Sequence, residues 1–598
     1  MDGDGYPTMF VASLAPEPKK LGIHQKRKWT TSIRKPSSKS ISRKRIVLST
    51  LPNSVQERTP FSSEKEQAAQ RTVEKKGWDR QAWLRGWENL DKELNMEIDL
   101  NQLTGKLPDD IRGTLFRNGP AKFRIGSDIV CHPWDGDGMI CAITFDENQK
   151  IWFRNRFVRT KGYMKEAAAH KILFRGTFGT QIPGGWLKNI FNVKMKNVAN
   201  TNVLLWNRRL FALWEGGLPY ELDPGNLITL GESRLDSSME SFTAHPKIES
   251  DTGRLIGFST QLGLQSSQLT FYEWNDDWKL LNKKKVNVPG FGFYHDFAIT
   301  PNYYILFQGP VDFTPWKFLL GFCSAAECMT YRKDRPAQII LIPRNSYAPL
   351  KQIYVKSGFV FHFANAFEST GETVTIDVVR VPDLFLGGIG EASKNNKSVV
   401  EQVDYESQVP KSCLYRYRID VSNLRCLEEH TVLDRQVEFP IVHPSRIGKR
   451  HHIVYLGIND GIDQVSPIQG VAKMNLNSGA VETWIPKPFE FAVEPIFIPR
   501  STATNSQENG GEYEQDDGYL ITLVLDGKQN SSYYAILDAR RVQDGPICTI
   551  PLPIAIPHGL HGMWSNQVFS KLEAKNSSTY EIFYSKKWNV FQSDFPLL

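Results

Sequence analysis

The sequence predicts an all-β fold for most of its length. Short runs rich in β-branched and aromatic residues recur along the chain, for example at 151–158, 373–381, 452–457 and 519–525. Gly, Pro, Asn and Asp separate these runs, and no amphipathic helices of the kind that connect parallel strands lie between them. A barrel, a pair of sandwiches and a propeller each fit this pattern. No WD or kelch-type repeat selects the propeller.

Residues 1–75 lack hydrophobic periodicity, and we expect a disordered or removable leader there. Between positions 18 and 56 the chain has eleven Lys or Arg and no Asp or Glu, among many Ser and Thr. Such a composition is typical of an organelle transit peptide and favours the plastid, although Asp2 and Asp4 depart from the pattern. The alternatives are a disordered basic tail or a nuclear-import run at 26–28. The alternative location for the protein is the cytoplasm. Residues 76–598 form the predicted folded domain.

Charge and cysteine content exclude several classes of protein. The net charge of +7 is concentrated in the leader, so the rest of the chain is nearly neutral, which argues against nucleic-acid binding. The seven cysteines are odd in number and include no Cys-x-x-Cys pair, which indicates reduced thiols. No apolar run reaches the roughly 18 residues of a bilayer-spanning helix. No feature of the sequence specifies an oligomeric state.

Two polar insertions and two apolar segments interrupt the β pattern. The insertions at 387–408 and 501–517 are predicted to be surface loops. The apolar segments, at 186–196 and 315–322, are either short helices packed into the core or a patch that lies on a membrane surface. In the first segment Lys188, Lys194 and Lys196 lie among the apolar residues. The candidate membrane residues are Trp186, Leu187, Ile190, Phe191, Trp316, Phe318, Leu319 and Leu320.

Four of the twelve histidines lie beside apolar or small residues, where an unpartnered imidazole is costly to bury. They are His245, His295, His362 and His561. They are far apart in sequence and form no local metal motif, so only the fold can bring them together. The alternatives are satisfied core histidines, with His558 as a second candidate beside His561. The absence of a phosphate-binding loop, a Gly-x-Ser-x-Gly elbow and a Gly-x-Gly-x-x-Gly turn argues against nucleotide and serine-hydrolase chemistry.

Seven motifs occur in a fixed order along the chain and together resemble the carotenoid cleavage oxygenase family over residues 78–598. They are Gly-Thr-Leu-Phe-Arg-Asn-Gly-Pro at 113–120, His-Pro-Trp-Asp-Gly-Asp-Gly-Met at 132–139, Ala-His-Pro at 244–246, His-Asp-Phe-Ala-Ile-Thr at 295–300, Asn-Ala-Phe-Glu at 365–368, Glu-Pro-Ile-Phe-Ile-Pro at 494–499 and Leu-His-Gly at 560–562. Residues 184–191 and 213–217 are most similar to the cyanobacterial apocarotenoid oxygenases and their plant relatives.

The resemblance implies a seven-bladed β-propeller with a dome of helices and loops over a central Fe²⁺. By motif match, His245, His295, His362 and His561 are the expected metal ligands. Glu215, Glu438 and Glu494 are the expected acceptors for their ring N–H groups. Thr201 matches a threonine that narrows one coordination position, and Trp214 and Phe361 match positions near the substrate tunnel.

The resemblance also implies the reaction. An iron-dependent dioxygenase of this kind uses O₂ to cleave a conjugated double bond of an apocarotenoid or carotenoid to two carbonyl products, without an organic cofactor. The apolar segments then become a membrane patch at the tunnel mouth. The alternatives are a retinoid-type isomerohydrolase, a stilbene-cleaving oxygenase, or a non-catalytic propeller that binds a pigment or a partner.

Overall fold

The computed structural model describes residues 77–263, 265–369, 372–500 and 514–569. The predicted leader at 1–75 lies outside this range. Within it the chain is dominated by antiparallel strands, as the sequence predicts. The helices are short: α1 Arg80–Arg85, α2 Lys161–Ala169, α3 Trp186–Asn189, α4 Trp316–Leu319, α5 Ile389–Lys394, α6 Val399–Gln402 and α7 Tyr405–Gln408. Single 3₁₀ turns occur at Leu100–Gln102, Pro133–Asp135, Ala326–Cys328, Pro444–Arg446 and Val542–Asp544.

Seven antiparallel sheets follow one another and form blades one to seven. Blade one contains β1 Leu94–Ile98, β3 Gly113–Lys122, β6 Asp137–Phe145, β7 Ile151–Phe157 and β35 Gly562–Ser565. Blade two contains β8 Asn202–Trp206, β9 Arg209–Leu213, β10 Tyr220–Leu222 and β11 Thr229–Glu232. Blade three contains β12 Lys247–Glu249, β13 Arg254–Gln261, β14 Ser266–Trp274 and β15 Leu280–Pro289. Blade four contains β16 Ala298–Ile299, β17 Tyr303–Gln308, β20 Ala337–Pro343 and β21 Lys351–Val355.

The remaining strands complete the ring and form two small hairpins. Blade five contains β22 Phe359–Ser369, β23 Thr373–Val381, β24 Cys413–Asp420 and β25 Arg425–Leu433. Blade six contains β26 Val437–Ile441, β27 Ile453–Ile458, β28 Gly470–Asn475 and β29 Val481–Trp484. Blade seven contains β2 Thr104–Gly105, β30 Glu490–Ala492, β31 Ile496–Pro499, β32 Gly518–Asp526, β33 Ser531–Asp538 and β34 Pro546–Leu552. The hairpins pair β4 Arg124–Ile125 with β5 Asp128–Ile129, and β18 Val311–Phe313 with β19 Met329–Tyr331.

Apolar clusters fill the spaces between successive blades. Phe116 of blade one packs with Val203 of blade two, and the same kind of cluster joins each later pair of blades. A further cluster contains Leu115 of blade one and Ile521 of blade seven. The blades therefore close into a ring, which confirms a seven-bladed β-propeller.

The pattern of buried and exposed residues along a strand depends on the position of that strand within its blade. All nine residues of β6 are buried, and most of them are apolar, because neighbouring blades cover both faces of this strand. The outermost strand of blade three, β15, alternates between exposed and less exposed residues along most of its length and presents Lys283 and Lys285 to solvent. The central strands therefore provide the core, and the edge strands resist pairing with other chains.

Strands from the two ends of the described chain close the ring. In blade one, β35 pairs with β3, with Gly562 opposite Arg117 and Met563 opposite Phe116. In blade seven, β2 pairs with β34, with Thr104 opposite Thr549. Because these pairings join residues more than 400 positions apart, the ring is complete only when both ends are in place.

The insertion at 387–408 differs from its predicted form. It contains α5, α6 and α7, whose apolar residues pack with α1 in one buried cluster, so it is a roof rather than a surface loop. Most of the second predicted loop, 501–513, lies outside the described residues. All seven cysteines are free thiols, and none forms a disulfide bond. In the described part of the chain, no helix is both long and apolar enough to span a bilayer.

Candidate metal centre

Four imidazoles converge at the centre of the ring. His245, His295, His362 and His561 each present one ring nitrogen, and these four atoms lie within 4.8 Å of one another. His245 and His295 precede the first strands of blades three and four, and His561 precedes β35. His362 lies within β22 of blade five. The propeller thus brings together residues that are far apart in sequence.

A β-bulge gives His362 its direction. The register of β22 against β23 shifts between Val360 and His362, and again between Phe363 and Asn365. The first shift leaves Phe361 as an extra residue, and an extra residue bends a strand and redirects its side chains. The bulge thereby allows His362 to take part in the central cluster and Phe361 to line the cavity beside it.

The ring nitrogens that face one another are arranged for a cation. Nε2 of His245 lies 3.0 Å from Nε2 of His295. Nε2 of His362 is buried and has no hydrogen-bond partner among the described residues. Burial and the neighbouring imidazoles lower the pKa values of His245 and His561 well below the ordinary range, so these rings are neutral at pH 7. Four imidazoles that share one focus, two of them neutral, form a suitable donor set for a transition metal.

Three carboxylates bind Nδ1 of three of the rings, the nitrogen that points away from the centre. Nδ1 of His295 lies 2.8 Å from Oε1 of Glu215, and Nδ1 of His362 lies 2.6 Å from Oε2 of Glu438. Nδ1 of His561 lies 2.8 Å from Oε1 of Glu494. Each carboxylate accepts the Nδ1–H and leaves Nε2 free to coordinate. The structure therefore brings together all three of the predicted His–Glu pairs.

The carboxylates differ in their electrostatic surroundings. Burial alone would raise the pKa of Glu215 and of Glu438, but the adjacent imidazoles lower both pKa values below the ordinary range. Burial raises the pKa of Glu494 to about 7, although the nearby guanidinium of Arg117 opposes this shift. The site therefore contains acceptors of unequal basicity.

Each blade contributes one of these seven residues. Blades three, four and five supply His245, His295 and His362, and the closing strand of blade one follows His561. The three carboxylates come from the remaining blades: Glu215 follows β9 of blade two, Glu438 lies in β26 of blade six, and Glu494 lies between β30 and β31 of blade seven. The geometry of the centre therefore depends on the whole ring.

An apolar cavity of about 360 Å³ lies between this centre and the roof. His295, His362 and His561 line its metal side, and residues of α1, α6 and α7 line its roof. The predicted residues Thr201, Trp214 and Phe361 all line the same cavity. The hydroxyl of Thr201 is 3.1 Å from Oδ1 of Asn200, to which it donates a hydrogen bond. The ring of Phe361 meets His295 edge-on at a centroid distance of 5.8 Å.

A second cavity, of about 630 Å³, borders the same centre and is lined mostly by other residues. His245, His362 and His561 line it, together with Lys247 and Asp296. The metal site therefore borders two spaces, of which the aromatic one lies under the helical roof.

The predicted membrane residues divide into exposed and buried sets. Trp186, Leu187, Phe191 and Trp316 are exposed by 46%, 68%, 72% and 51%, whereas Ile190, Leu319 and Leu320 are half-buried. Phe318 contradicts the prediction, because its side chain is fully buried beneath the guanidinium of Arg175. Lys196 is also buried, where it pairs with Asp137 and Glu166.

Sequence patterns alone do not single out two residues that support the centre. Asp296 follows His295 directly and accepts a hydrogen bond from the backbone N of Phe363, beside His362. Arg117 donates to the backbone oxygens of Glu494 and Leu560, beside His561. Both lie inside motifs that the resemblance uses, but only the folded structure shows what they contact.

Comparison with known proteins agrees with this architecture. A family model described as retinal pigment epithelial membrane protein matches residues 87–566. The chain is 38% identical over 494 residues to apocarotenoid-15,15'-oxygenase from Synechocystis sp., covering 81% of this chain and 96% of that protein. It is 25% identical to the chloroplastic carotenoid cleavage dioxygenase 7 of Arabidopsis thaliana, covering 78% of this chain and 88% of that protein.

A solved structure supports the same assignment. Cobalt-substituted Synechocystis apocarotenoid oxygenase superposes with a TM-score of 0.76 at 37% identity, covering 82% of this chain and all of that one. The match extends across the propeller that carries the four imidazoles. The chain therefore belongs to the carotenoid oxygenase family, the family of the retinal pigment epithelial membrane protein.

Proposed function

We propose that this protein is an iron-dependent dioxygenase that cleaves a conjugated double bond in an apocarotenoid or carotenoid. The observation that carries the proposal is the buried Nε2 of His362, unpartnered among the described residues, within a cluster of four imidazoles beside an apolar cavity. The family relationship supports the same reaction. One O₂ is consumed for each bond cleaved, and each of the two carbonyl products carries one of its oxygen atoms.

Fe²⁺ is the proposed metal because imidazole suits iron and the centre contains no thiolate. His245, His295, His362 and His561 would hold it. When bound, the ion would supply the activation of dioxygen that the organic side chains cannot provide. The surrounding protein then has two tasks, which are to keep the ligand rings in place and to position the polyene.

Glu215, Glu438 and Glu494 perform the first task by holding the ring protons on Nδ1 of their partners. The cavity wall performs the second. A polyene offers little charge to bind, so aromatic side chains such as Trp214 and Phe361 fix its depth and orientation by shape. The bond that lies next to the imidazoles is the one cleaved, and specificity for that bond depends on the length of the cavity.

The direct test uses the full-length protein loaded with Fe²⁺ and incubated with apocarotenals and intact carotenoids under ¹⁸O₂. Mass spectrometry should detect two carbonyl products from at least one substrate, each with one labelled oxygen. His295→Ala should retain less metal and abolish cleavage. Replacement of an exposed histidine, His430→Gln, serves as the control and should leave both properties unchanged.

The alternatives give different products. An isomerohydrolase would convert a retinoid ester without incorporating label from O₂, and a stilbene-cleaving oxygenase would release labelled phenolic aldehydes while leaving polyenes intact. A binding protein would hold the pigment without turnover. Any of these three results would replace the proposed function.

Two further parts of the proposal concern location. Trp186, Leu187, Phe191 and Trp316 would rest on a membrane from which the apolar substrate enters the cavity, and their exposure supports this contact. Residues 1–75 would be a transit peptide for the plastid, with residues 76–598 as the mature domain. A chloroplastic plant relative supports this location. Import of the chain into isolated chloroplasts, with loss of the leader, is the corresponding test.

A further inference from the structure

Cys323 and Cys328 place two thiols in contact next to the exposed apolar segments. Their Sγ atoms lie 3.5 Å apart. A disulfide bond is about 2 Å long, so the two sulfurs need to approach each other by only about 1.5 Å to form one. Both are free thiols. By contrast, the thiol of Cys413, which is also half-buried, donates to Asp434 rather than to a second sulfur.

Hydrogen bonds fix the turn between the two cysteines. Oε2 of Glu327 accepts from the backbone N of Ser324 at 2.7 Å and from its hydroxyl at 2.8 Å. The backbone N of Cys328 donates to the backbone oxygen of Ala325 at 3.1 Å. Folding has therefore already ordered the short loop that a disulfide would close, and its closure costs little further entropy.

The two thiols differ in exposure. Cys323 is half-buried, whereas Cys328 is only 3% exposed and lies inside an apolar cluster. A reagent from solution therefore reaches Cys323 first. The contact between the sulfurs lowers the pKa of Cys328, and the guanidinium of Arg175 acts in the same direction, although burial opposes both. The pair thus loses its first proton more readily than an isolated buried thiol does.

A bond between these sulfurs would join an exposed segment to the body of the protein. Cys323 follows α4 by four residues, and Cys328 directly precedes β19. Both belong to the cluster that contains Phe318 of α4 and Trp214 of the cavity wall. A disulfide would therefore limit local opening of the segment that contains α4.

We propose that Cys323 and Cys328 are a redox modification site that closes to an intramolecular disulfide by exchange with a low-molecular-weight disulfide such as oxidised glutathione. The Cys323 thiolate attacks one sulfur of oxidised glutathione, which breaks that S–S bond and releases one glutathione thiolate. The Cys328 thiolate then attacks Sγ of Cys323 in the mixed disulfide and releases the second glutathione. The two cysteine sulfurs lose one electron each, oxidised glutathione gains both, and the cysteine protons pass to the two released thiolates.

The inference does not depend on the proposed function. Neither cysteine is one of the four clustered metal ligands, and neither lines the cavity beside them. The oxidant is supplied by the solution, so the exchange needs no metal and no polyene.

The test equilibrates the full-length, reduced protein with mixtures of reduced and oxidised glutathione and then alkylates the remaining thiols. Trypsin cleavage after Lys317 and Arg332 leaves both cysteines, and no other cysteine, in the peptide 318–332. Mass spectrometry of this peptide reports the state of the pair directly. As the oxidised fraction of glutathione rises, two alkylated cysteines should give way to a peptide that lacks two hydrogen atoms and carries no glutathione. Dithiothreitol should restore the dithiol.

Three serine variants separate the steps. Cys328→Ser removes the thiol that completes the reaction, so Cys323 should retain one glutathione. Cys323→Ser leaves only the buried thiol of Cys328, which should stay reduced. Cys413→Ser is the matched control, and its peptide 318–332 should oxidise as in the wild type.

Closure should also restrain the exposed segment. Hydrogen exchange of the backbone amides at 319–322 should slow by about tenfold or more in the oxidised wild type, because the tether opposes local opening. In Cys323→Ser the same amides should exchange equally fast in reducing and oxidising buffer. Equal exchange in the reduced and oxidised wild type would reject the restraint.

Three results would overturn the site itself. The wild-type peptide could keep two alkylated thiols at every glutathione ratio. Wild-type Cys323 could retain glutathione, which would mean that Cys328 does not reach it. The disulfide could link two chains rather than close within one. Bond cleavage is not measured in these experiments, so a failure of the proposed dioxygenase reaction would leave the site intact.

Discussion

Nζ of Lys247 lies 2.7 Å from Oδ1 of Asp296, and this ion pair connects the segments that carry His245 and His295. Lys247 follows His245 by two residues, and Asp296 follows His295 directly. The second oxygen of Asp296 accepts from the backbone N of Phe363, next to His362, at 2.9 Å. One carboxylate therefore fixes the relative positions of three ligand segments in blades three, four and five.

Asp296→Asn should loosen this connection. The amide would place an N–H group against either the backbone N of Phe363 or Nζ of Lys247, so one buried acceptor is lost. We expect a loss of about 2 kcal/mol in the free energy of unfolding by urea and weaker retention of iron on dialysis. Asp277→Asn, on an exposed turn of blade three, is the matched control. Unchanged stability and iron content in Asp296→Asn would contradict the connecting role.

The contact between His362 and Glu438 leads us to predict an order of metal affinity among variants of Glu438. Glu438→Ala removes the acceptor for Nδ1 of His362 and should weaken metal affinity about 10- to 100-fold. Glu438→Gln keeps an oxygen that can accept from both His362 and the backbone N of Phe439, so it should retain more metal than the alanine variant.

Iron per chain, measured by mass spectrometry after dialysis against a graded chelator, gives the order of the variants. Glu428→Ala, on the exposed outer strand of blade five, is the control. If the alanine and glutamine variants retain iron equally well, orientation through Glu438 is not what holds the ligand.

His558 should make the fold less stable at mildly acidic pH. Burial lowers its pKa to about 4, an effect that its hydrogen bond to the backbone oxygen of Trp83 only partly offsets. As the pH falls below about 6.5, the unfolded chain binds a proton at this residue and the folded chain does not. The free energy of unfolding should therefore decrease from pH 6.5 to pH 4, by at most about 1.4 kcal/mol per pH unit from this group.

His558→Gln can keep the donor to Trp83 and removes the titration. Its unfolding free energy, measured by urea denaturation at several pH values, should fall less steeply than that of the wild type by about 1 kcal/mol per pH unit between pH 6 and 5. His430→Gln should match the wild-type slope. An unaltered slope in His558→Gln would show that other groups govern the acid sensitivity.

The exposed apolar patch predicts membrane binding. Simultaneous replacement of Trp186, Leu187 and Phe191 by Ser removes three of the four exposed side chains that we assign to the patch. Binding to phospholipid vesicles, followed by flotation, should fall by about tenfold or more because each buried side chain contributes on the order of 1.5 kcal/mol. Leu281→Ser combined with Tyr354→Ser, on exposed strands of blades three and four, should bind like the wild type. Equal binding by both variants would remove the membrane proposal.

Strand pattern and ordered motifs were sufficient to predict the fold class and to select the residues that meet at the centre. The strands could be predicted because β-branched runs and turn residues carry local information, and the number of blades followed from the family resemblance. Pairing of His295 with Glu215 cannot be read from spacing, since the two residues lie in different blades.

Predictions from local sequence patterns were wrong where tertiary packing determines which residues are exposed. Phe318 lies among exposed apolar residues in sequence, yet Arg175 covers it, and a four-residue helix is too short for periodicity to reveal this. The polar composition of 387–408 suggested a loop, because a roof needs apolar residues only on its inner face.

The position of β35 in the sequence means that the metal centre is completed late in synthesis. His245, His295 and His362 leave the ribosome well before His561, which comes immediately ahead of β35, the strand that joins β3. A chain that stops short of this point would offer three imidazoles and an open edge of blade one. Tight binding of the ion would therefore distinguish chains that include β35 from shorter ones, and a tightly bound ion would in turn oppose the detachment of β35 from β3.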